Sequence, residues 1–536
     1  MGYGKIYNTS WWGNALDTAR TAGTEPDFFG SQMKLLTSNQ PELVTNGDFA
    51  TDSDWVKGTG WTISGGKASR TAQSGSTACD QIISLTANKT YKIVYNLTLD
   101  AGTFNVRFTR STNVNGETRT SSGTYTDYLK GENGNNTFRL IGSDSNFNGS
   151  IDNVSVKEVF NADFDFTRNS SATRVGSNGL IQDVASNLPR IDYTGGVGSW
   201  KFELQRTNIL SYSEDFSHSS WNKESGNQVI NSNVETSPSN TLTADKLTVS
   251  SGPITTRKLW YQQSTTIGSE YTFSVYIKSV TGQVNTGFIS IAYLDANINE
   301  TSFTATDIWQ RVVVTATANA TITRFLITGD PNCQIYIWGA QLEVGSYPTS
   351  YIRSNTGSAT TRLADAANNA GSSDLINSTE GVLYAEISAL TNDLTNRYIS
   401  ISDGTANNRI LIRYIAGFSN TVGLFAVVGG AEQATLLYEV NDILDNIKVL
   451  IKYKQNDYSL WVNGFEVDTD TIGIVPSENT LDRLNFANID GSTFPFYGKA
   501  KQVQYFDSIL ADTQLEQLTS WQSFRDMAEG QLYTIE

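Results

Sequence analysis

The chain has 536 residues, of which 38% are hydrophobic and 11% aromatic, so it is long and apolar enough for roughly three to five domains with packed cores. A wholly disordered chain is thereby excluded. The net charge of −16 and the pI of about 4.7 argue against nucleic acid or an anionic membrane as a partner, because phosphates would be repelled; an acidic surface also serves solubility.

Cysteine and histidine are too scarce for several kinds of site. Cys79 and Cys333 lie far apart and form no C-x-x-C motif, so neither a disulfide framework nor a zinc site is predicted. The single histidine, His218, lies among turn residues and is interpreted as a solvated surface residue, which disfavours acyl-transfer and zinc chemistry. The N-terminus lacks the apolar core of a signal peptide, and no run of 18 apolar residues occurs. Synthesis in a cytoplasm without membrane insertion is therefore expected.

Residues 1–40 have too few aliphatic positions to enclose a core, and they do not predict a domain. Exposed aromatic residues on an extended segment need a partner surface to cover them. The hypothesis is therefore a docking arm, and the alternative is that the segment packs on the first β module. The candidate docking residues are Trp11, Trp12, Phe28 and Phe29.

Residues 41–160 and 208–353 look like two copies of one β module. Each copy opens with an acid-Phe pair followed by a Trp; these are Asp48, Phe49 and Trp55, and Asp215, Phe216 and Trp221. Matching strands with alternating apolar residues follow, and each copy ends in a strand after a turn rich in Gly, Asp and Asn. Repeated short strands between such turns predict antiparallel sandwiches of jelly-roll type.

Two segments join the modules. Residues 161–207 are turn-rich but contain strand patterns, and they predict a β-rich connector packed on the second module, with ELQRTNIL beside the strand IWGAQLEVG. Residues 354–373 are rich in Ser, Thr, Asn, Ala and Gly and predict a linker. The connector should then resist protease better than the linker.

From residue 374 to 510 a run of strands predicts a third, different sandwich, in which Asn463-Gly464 favours a type I′ hairpin turn. Residues 511–536 predict an amphipathic helix and tail, with Asp512 at the N-cap and Leu515, Leu518 and Trp521 on one face. The expected fold class is all-β: tandem antiparallel β-sandwich or jelly-roll modules with an extended N-terminal arm and a short C-terminal helix.

Several phrases resemble known protein families. The opening NGDF with its following Trp, and the closing IDNVSV, resemble galactose-binding-like jelly rolls that bind carbohydrate. DFTRNSSATRVGSNGLIQDVASNLPRIDY and the later GAQLEVGSYPTSYIRSNTGSATTRLAD resemble bacteriophage virion proteins of the tail-fibre and head-spike type. The first residues, GYGKIYNTSWWGN, are similar to the N-terminus of structural proteins in phages of Bacteroidetes-type hosts. YSLWVNG with the strand KQVQYFDSIL is similar to concanavalin A-like (laminin-G-like) lectin domains.

These resemblances imply a virion structural protein, a head or tail fibre or spike, located in the virion. Its arm would dock to capsid or tail proteins, and its β modules would attach to glycans of the host surface. A homo-oligomer is implied, with a trimer as the family expectation. The alternatives are a capsid decoration protein without sugar binding, and a bacterial polysaccharide-binding or polysaccharide-degrading surface protein.

Sugar binding by such modules requires aromatic rings that stack on the apolar side of a pyranose, with polar partners for its hydroxyls. The candidates are Trp55, Trp61 and Tyr125 in the first module and Trp221, Trp260 and Tyr261 in the second. For each of them, burial in the core is the alternative. Because Trp260 and Tyr261 are adjacent, they point to opposite faces of a strand, and one of them is expected to be exposed.

A structural calcium ion is the only cofactor suggested. In jelly rolls of this type the opening loop lies beside the last strand, so Asp48 and Asp152 could ligate the ion together with backbone carbonyls. Their counterparts in the second module are Asp215 and Glu343. The alternative is that these acids cap turns or face water. No enzymatic activity is predicted, because Glu466-Val-Asp468-Thr-Asp470 matches only part of the E-x-D-x-x-E pattern of concanavalin-like glucanases.

Overall fold

The computed structural model describes residues 33–36 and 42–520, apart from gaps at 72–74, 76, 88, 143–145, 162–163, 197, 224–226, 281, 283–284, 294–295 and 490. The predicted fold class is confirmed: the described chain consists of antiparallel sandwiches followed by one short helix. The candidate docking residues Trp11, Trp12, Phe28 and Phe29 lie outside the described residues.

The first sandwich, residues 42–161, follows a short strand, β1 (Met33–Leu36). Its strands are β2 (Val56–Lys57), β3 (Trp61–Ser64), β4 (Lys67–Arg70), β5 (Thr77–Ile82), β6 (Thr90–Ala101), β7 (Phe104–Thr109), β8 (Val114–Asn115), β9 (Gly123–Lys130), β10 (Thr137–Gly142) and β11 (Asn148–Asn161). One sheet has the order β2-β5-β10-β7-β8, and the other has the order β3-β4-β11-β6-β9. Alternate residues of both sheets point inward and form an aromatic-rich core.

The connector contains short strands: β12 (Asp165–Thr167), β13 (Ala172–Val175), β14 (Ile181–Val184), β15 (Ile191–Asp192), β16 (Ser199–Phe202) and β17 (Arg206–Asn208). The second sandwich, residues 209–353, follows with β18 (Trp221–Lys223), β19 (Gln228–Glu235), β20 (Ala244–Val249), a 3-10 turn (Ile254–Thr256), β21 (Lys258–Ser264), β22 (Glu270–Ser279), β23 (Asn285–Tyr293), β24 (Ala296–Ala305), β25 (Gln310–Thr317), β26 (Ile322–Gly329) and β27 (Gln334–Val344). Its sheet orders are β18-β21-β26-β23-β24 and β19-β20-β27-β22-β25.

The two sandwiches have the same topology, strand for strand, as expected for a duplicated module. The opening motif also packs in the same way in both. The rings of Phe49 and Trp55 are 5.2 Å apart, and those of Phe216 and Trp221 are 4.8 Å apart, with nearly equal interplanar angles. Each of the two indole N–H groups donates to a backbone carbonyl nine residues upstream. The motif therefore closes one end of each core.

The third sandwich is preceded by β28 (Thr360–Arg362) and β29 (Ala366–Asn368). Its own strands are β30 (Glu380–Ala389), β31 (Arg397–Ser402), β32 (Arg409–Tyr414), β33 (Thr421–Val428), β34 (Ala431–Glu439), β35 (Ile447–Lys454), β36 (Tyr458–Val462), β37 (Phe465–Asp470), β38 (Arg483–Asn485) and β39 (Gly498–Phe506). One sheet has the order β34-β33-β32-β31-β38, and the other has the order β39-β30-β35-β36-β37. As predicted, Asn463-Gly464 forms the two-residue turn between β36 and β37, with φ of 50° and 95°.

The helix α1 (Asp512–Thr519) packs on the outer side of the third sandwich, where Leu515 is fully buried near Trp461. The prediction of Asp512 as N-cap was wrong. Ala511 holds that position, and its N–H donates to the side chain of Gln514, while Asp512 places its charge in the first turn. Trp521 lies outside the described residues.

The connector and residues 354–373 form one unit, which we call the joint. β12 pairs with β29, and β17 pairs with β28. Ser354, Arg362, Asp365 and Ala367 are all buried. Residues 354–373 are therefore not the exposed linker that their composition predicts, because strand pairing and burial hold them in place.

The joint contacts both neighbouring sandwiches. ELQRTNIL lies beside β27 as predicted, since the N–H of Ile209 donates to the carbonyl of Leu342 at 2.9 Å. The prediction that the connector packs on the second module was incomplete. β16 pairs with β39, and Trp200 and Phe202 lie in the core of the third sandwich.

The strand β1 pairs antiparallel with β11 of the first sandwich and parallel with β39 of the third.

Candidate functional site

Four of the six aromatic candidates for sugar stacking lie in the cores: Trp55, Trp61, Trp221 and Tyr261, each at most 7% exposed. Trp61 stacks on Phe147, and the other three pack on core rings of their own sandwiches. A ring enclosed in this way has no face left for a pyranose. For these four residues the prediction of sugar contact is corrected to a structural role.

The other two candidates, Tyr125 and Trp260, are partly exposed, and each lies under an arginine. The guanidinium carbon of Arg119 is 4.5 Å from the ring centre of Tyr125, whose hydroxyl donates to the carbonyl of Ser121. The guanidinium carbon of Arg324 is 4.2 Å from the ring centre of Trp260. Trp260 therefore presents an aromatic surface beside a guanidinium group, whereas the N–H groups of Arg119 already donate to Tyr95, Glu117 and Asp127.

Strand register places Trp260 on the outer surface of a sheet, one strand from its edge. Leu259 and Tyr261 point into the core, so Trp260 points outward. Its cross-strand partner on β26 is Leu326, and the partner of Leu326 on β23 is Ser290. We call this surface the second-module face; it consists of Lys258, Trp260, Phe288, Ser290, Arg324, Leu326 and Thr328.

Several residues of the second-module face are buried although they do not belong to the core cluster. Leu326 is 1% exposed and Ser290 is fully buried. The hydroxyls of Ser290 and Thr328 have no hydrogen-bond partner within the described residues. Unpaired buried hydroxyls cost free energy, and a bound ligand with donors and acceptors would satisfy them. An indole beside unpaired hydroxyls and guanidinium donors has the chemistry of a neutral sugar site.

Sequence reasoning missed Arg324, Phe288, Ser290 and Thr328. A signal was present in ITRFLITG, where Arg324 and Thr328 occupy the face opposite to that of the apolar Phe325 and Ile327. Which of these residues adjoin Trp260 depends on the register of β21 on β26 and of β26 on β23. No local pattern fixes that register.

The predicted calcium ligands of the first sandwich lie in the expected region. The opening loop does run beside the last strand, because the N–H of Val154 donates to the carbonyl of Gly47 at 2.8 Å. Asp48 is exposed, and Asp152 accepts the N–H of Asn153 at 2.6 Å. A calcium ion at this position stays a prediction.

In the second sandwich, the two predicted ligands have other partners. Asp215 accepts the N–H groups of Ser217 and His218, each at 3.1 Å, and so caps a turn. Glu343 is fully buried and accepts the N–H of Thr349 at 2.9 Å. Across the described residues, no three His, Cys, Asp or Glu side chains come together as a metal site. The acid that does lie beside the opening loop is Asp245, which accepts the N–H of Phe216; burial raises its pKa to about 6.

The residues considered for catalysis make structural hydrogen bonds. Asp468 accepts the N–H groups of Leu437 and Thr469, and Asp470 accepts that of Ile472. His218 stacks on Tyr212 with the ring centres 3.5 Å apart, and its Nδ1 lies 3.1 Å from the hydroxyl of Ser220. Turn capping and ring packing account for these contacts.

The joint contains a buried ion network, which sequence reasoning also missed. Asp365 binds both Arg168 and Arg190. Glu203 binds Arg190 at 2.7 Å and Arg362 at 2.8 Å. All five side chains are at most 1% exposed. Burial would raise the pKa of Glu203, but Arg362 and Arg190 outweigh it and hold this pKa well below the usual range. We call this set of five residues the joint network.

The joint network ties distant segments of the chain together. Arg190 lies in the connector, whereas Asp365 lies in residues 354–373. The hydroxyl of Ser350, next to the end of the second sandwich, also accepts a hydrogen bond from Arg190 at 2.7 Å. Between the joint and the third sandwich lies a polar depression of about 410 Å³, which is lined by Asn369, Gly371, Ser372, Ser373, Asp482 and Arg483. None of the residues predicted from the sequence to bind a ligand lines it.

No helix in the described part of the chain is long and apolar enough to cross a membrane. No family model and no curated protein matches the sequence. Among solved structures, the chain is similar to the CBM40 of Ruminococcus gnavus IT-sialidase bound to alpha2,3 sialyllactose, with 17% identity, 26% of this chain and 83% of that chain covered, and a TM-score of 0.23.

The chain is also similar to the CBM22-1–CBM22-2 tandem of Paenibacillus barcinonensis Xyn10C, with 11% identity, 57% and 98% of the two chains covered, and a TM-score of 0.19. Domains LG4-5 of the mouse laminin alpha1 chain match with 10% identity, 45% and 84% coverage, and a TM-score of 0.20. Carbohydrate-binding modules and laminin G-like domains are thus among the β structures that this chain is similar to, and at these scores the likeness assigns no function.

Proposed function

We propose that the chain is a non-enzymatic glycan-binding protein of a bacteriophage particle, a head or tail fibre or spike, and that its second-module face holds a neutral sugar. The observation that carries the proposal is the second-module face itself. It combines the partly exposed indole of Trp260, stacked with Arg324, and two buried hydroxyls that have no partner within the described residues. A pyranose would supply an apolar face for the indole and hydroxyls for Ser290 and Thr328.

The particle role rests on the phrases that resemble phage virion proteins. Those phrases supply the joint network: Arg168 and Arg190 come from the first phrase, and Arg362 and Asp365 come from the second. A rigid joint between sandwiches suits a projecting fibre, and a trimer would cover exposed sheet edges such as β37, where Phe465 is 71% exposed. Docking to capsid or tail is assigned to residues 1–40.

Glycan binding is tested by applying the full chain to an array of neutral and acidic glycans. Trp260→Ala should weaken neutral-glycan binding about five- to thirtyfold, because stacking of a sugar ring on an indole contributes on the order of 1–2 kcal/mol. Tyr293→Ala is the matched control, since Tyr293 is 44% exposed at the end of β23 and outside the second-module face. Silence of the wild-type chain across the array would favour a decoration protein.

The particle role is tested by deleting residues 1–40 and measuring incorporation into virions. Loss of incorporation with retained glycan binding is the expected result. Normal incorporation of the deletion variant would refute the docking arm. Glycan binding by a chain that no particle contains would instead favour a bacterial polysaccharide-binding surface protein.

A further inference from the structure

The first sandwich has an outer face at the same register as the second-module face, but with different chemistry. Trp55 precedes Val56, whose partner is Asp80, just as Trp221 precedes Asn222, whose partner is Trp260. This row of cross-strand partners continues across the sheet from Asp80 to Arg139 and on to Arg107. The duplicated module therefore has Asp80, Arg139 and Arg107 at the positions of Trp260, Leu326 and Ser290.

Arg107 is a cation without a carboxylate partner among the described residues. Asp80 neutralises Arg139 through two hydrogen bonds of 2.8 and 2.7 Å. Arg107, directly across from Arg139, donates its Nε only to the neutral side chain of Asn115. Like charges directly opposite on a sheet repel each other. The row therefore carries one uncompensated positive charge in a chain of net charge −16.

Asn105 supplies a second, independent feature on the same face. Phe104, Val106 and Phe108 fill the core, so Asn105 and Arg107 both point outward. Asn105 is only 8% exposed, and its Oδ1 accepts no hydrogen bond within the described residues. A buried amide oxygen without a donor costs free energy, which a donor from a ligand would recover.

The cation of Arg107 and the amide oxygen of Asn105 together indicate the chemistry of the ligand. Residues two apart on one strand are about 7 Å apart, a distance that a single sugar ring with its substituents spans. Guanidinium groups pair with planar carboxylates through two parallel hydrogen bonds. We propose that the outer face of the first sandwich binds a uronic acid residue of an acidic glycan. Its carboxylate pairs with Arg107, and a ring hydroxyl donates to Asn105. The proposal rests on the proposed glycan-binding function and extends it, because the two copies of the module then take different sugars.

The test compares trigalacturonic acid with its methyl ester, in which neutral ester groups replace the carboxylates, by calorimetric titration of the full chain. The wild type should bind the acid at least about tenfold more tightly than the ester. Arg107→Gln should remove this preference, and Asn105→Leu should weaken binding of the acid. Arg110→Gln is the matched control, because Arg110 is exposed in the loop that follows β7.

Equal affinity of the wild type for acid and ester, or no binding of either, overturns the proposal. So does an Arg107→Gln variant that retains the preference, or an Arg110→Gln variant that loses it equally, since overall charge would then explain the effect. Arg107→Lys, which keeps the charge, should retain part of the preference and shows that the fold tolerates substitution there. Neutral-glycan binding on the array reports the second-module face separately. Failure here with retained neutral-glycan binding therefore refutes this proposal and not the proposed function.

Discussion

Asp192 illustrates how a single buried charge fastens the connector. Its side chain is fully buried, lies 3.3 Å from Nζ of Lys201 and accepts the N–H groups of Val175 and Thr194. Burial alone would raise the pKa of Asp192, but Lys201 and these hydrogen bonds outweigh it and lower the pKa to about 2. Because this value is below that of the unfolded chain, the carboxylate stabilises the fold above about pH 4. The contribution is lost as pH falls toward 2.

Asp192→Asn is therefore expected to lower the free energy of unfolding by about 2 kcal/mol at pH 7 and by about 1 kcal/mol at pH 3. Urea denaturation at both pH values measures the difference. Asp183→Asn is the control on the same connector, because Asp183 is 65% exposed beside Arg353 and an exposed pair contributes less than about 1 kcal/mol. A deficit of the same size at both pH values would show that the charge of Asp192 is not responsible.

At the residue scale, the sequence predicted the direction in which a side chain points better than it predicted the neighbours of that side chain. The alternation argument for Trp260 and Tyr261 was right, since one points outward and the other into the core. The same argument did not identify Arg324, which lies 64 positions from Trp260 along the chain and meets it only through strand register. Partners brought together by register are not visible in a single sequence.

At the element scale, local turn chemistry was sufficient for the hairpin between β36 and β37. Gly464 has φ of 95°, which a side chain disfavours, and an added Cβ would lie 2.7 Å from Oγ of Ser520. Gly464→Ala should therefore lower the free energy of unfolding by about 1–2 kcal/mol, measured by thermal or urea denaturation. Asn463→Gly should change it by less than about 0.5 kcal/mol, because glycine also adopts a positive φ. Equal losses for the two variants would contradict a type I′ turn.

The composition of residues 354–373 predicted the wrong structure, because strand pairing with distant residues determines it. Residues 354–373 have the Ser, Thr, Asn and Gly content of a flexible linker, yet β28 and β29 pair with strands of the connector more than 150 residues earlier. Arg362 can be fully buried because Glu203 and the backbone carbonyl of Leu204 in the connector accept its hydrogen bonds. Short-range patterns describe the sandwiches, whose strands alternate, but not a joint assembled from two separated segments.

For the whole molecule, the joint network lies where the connector, residues 354–373 and the end of the second sandwich meet. Arg190 is the central residue, because it binds Asp365 and Glu203 and also donates to Ser350. Burial lowers its pKa, but Asp365 and Glu203 outweigh burial and raise it, so Arg190 stays charged. Removing one partner from a buried ion network costs about 3–5 kcal/mol, because the remaining charges lose their compensation.

Arg190→Met should therefore open the joint while each sandwich keeps its own core. With subtilisin and mass spectrometry, the wild type should resist cleavage in both 163–210 and 354–373, whereas the variant should be cut in both segments at similar rates. Arg353→Met is the control, since Arg353 is partly exposed at the same joint and pairs with Asp183 and Glu214 at the surface. Early cleavage of wild-type 354–373 with an intact connector would restore the linker interpretation. Because the two segments share strands and charges, the structure requires that they be protected, or exposed, together.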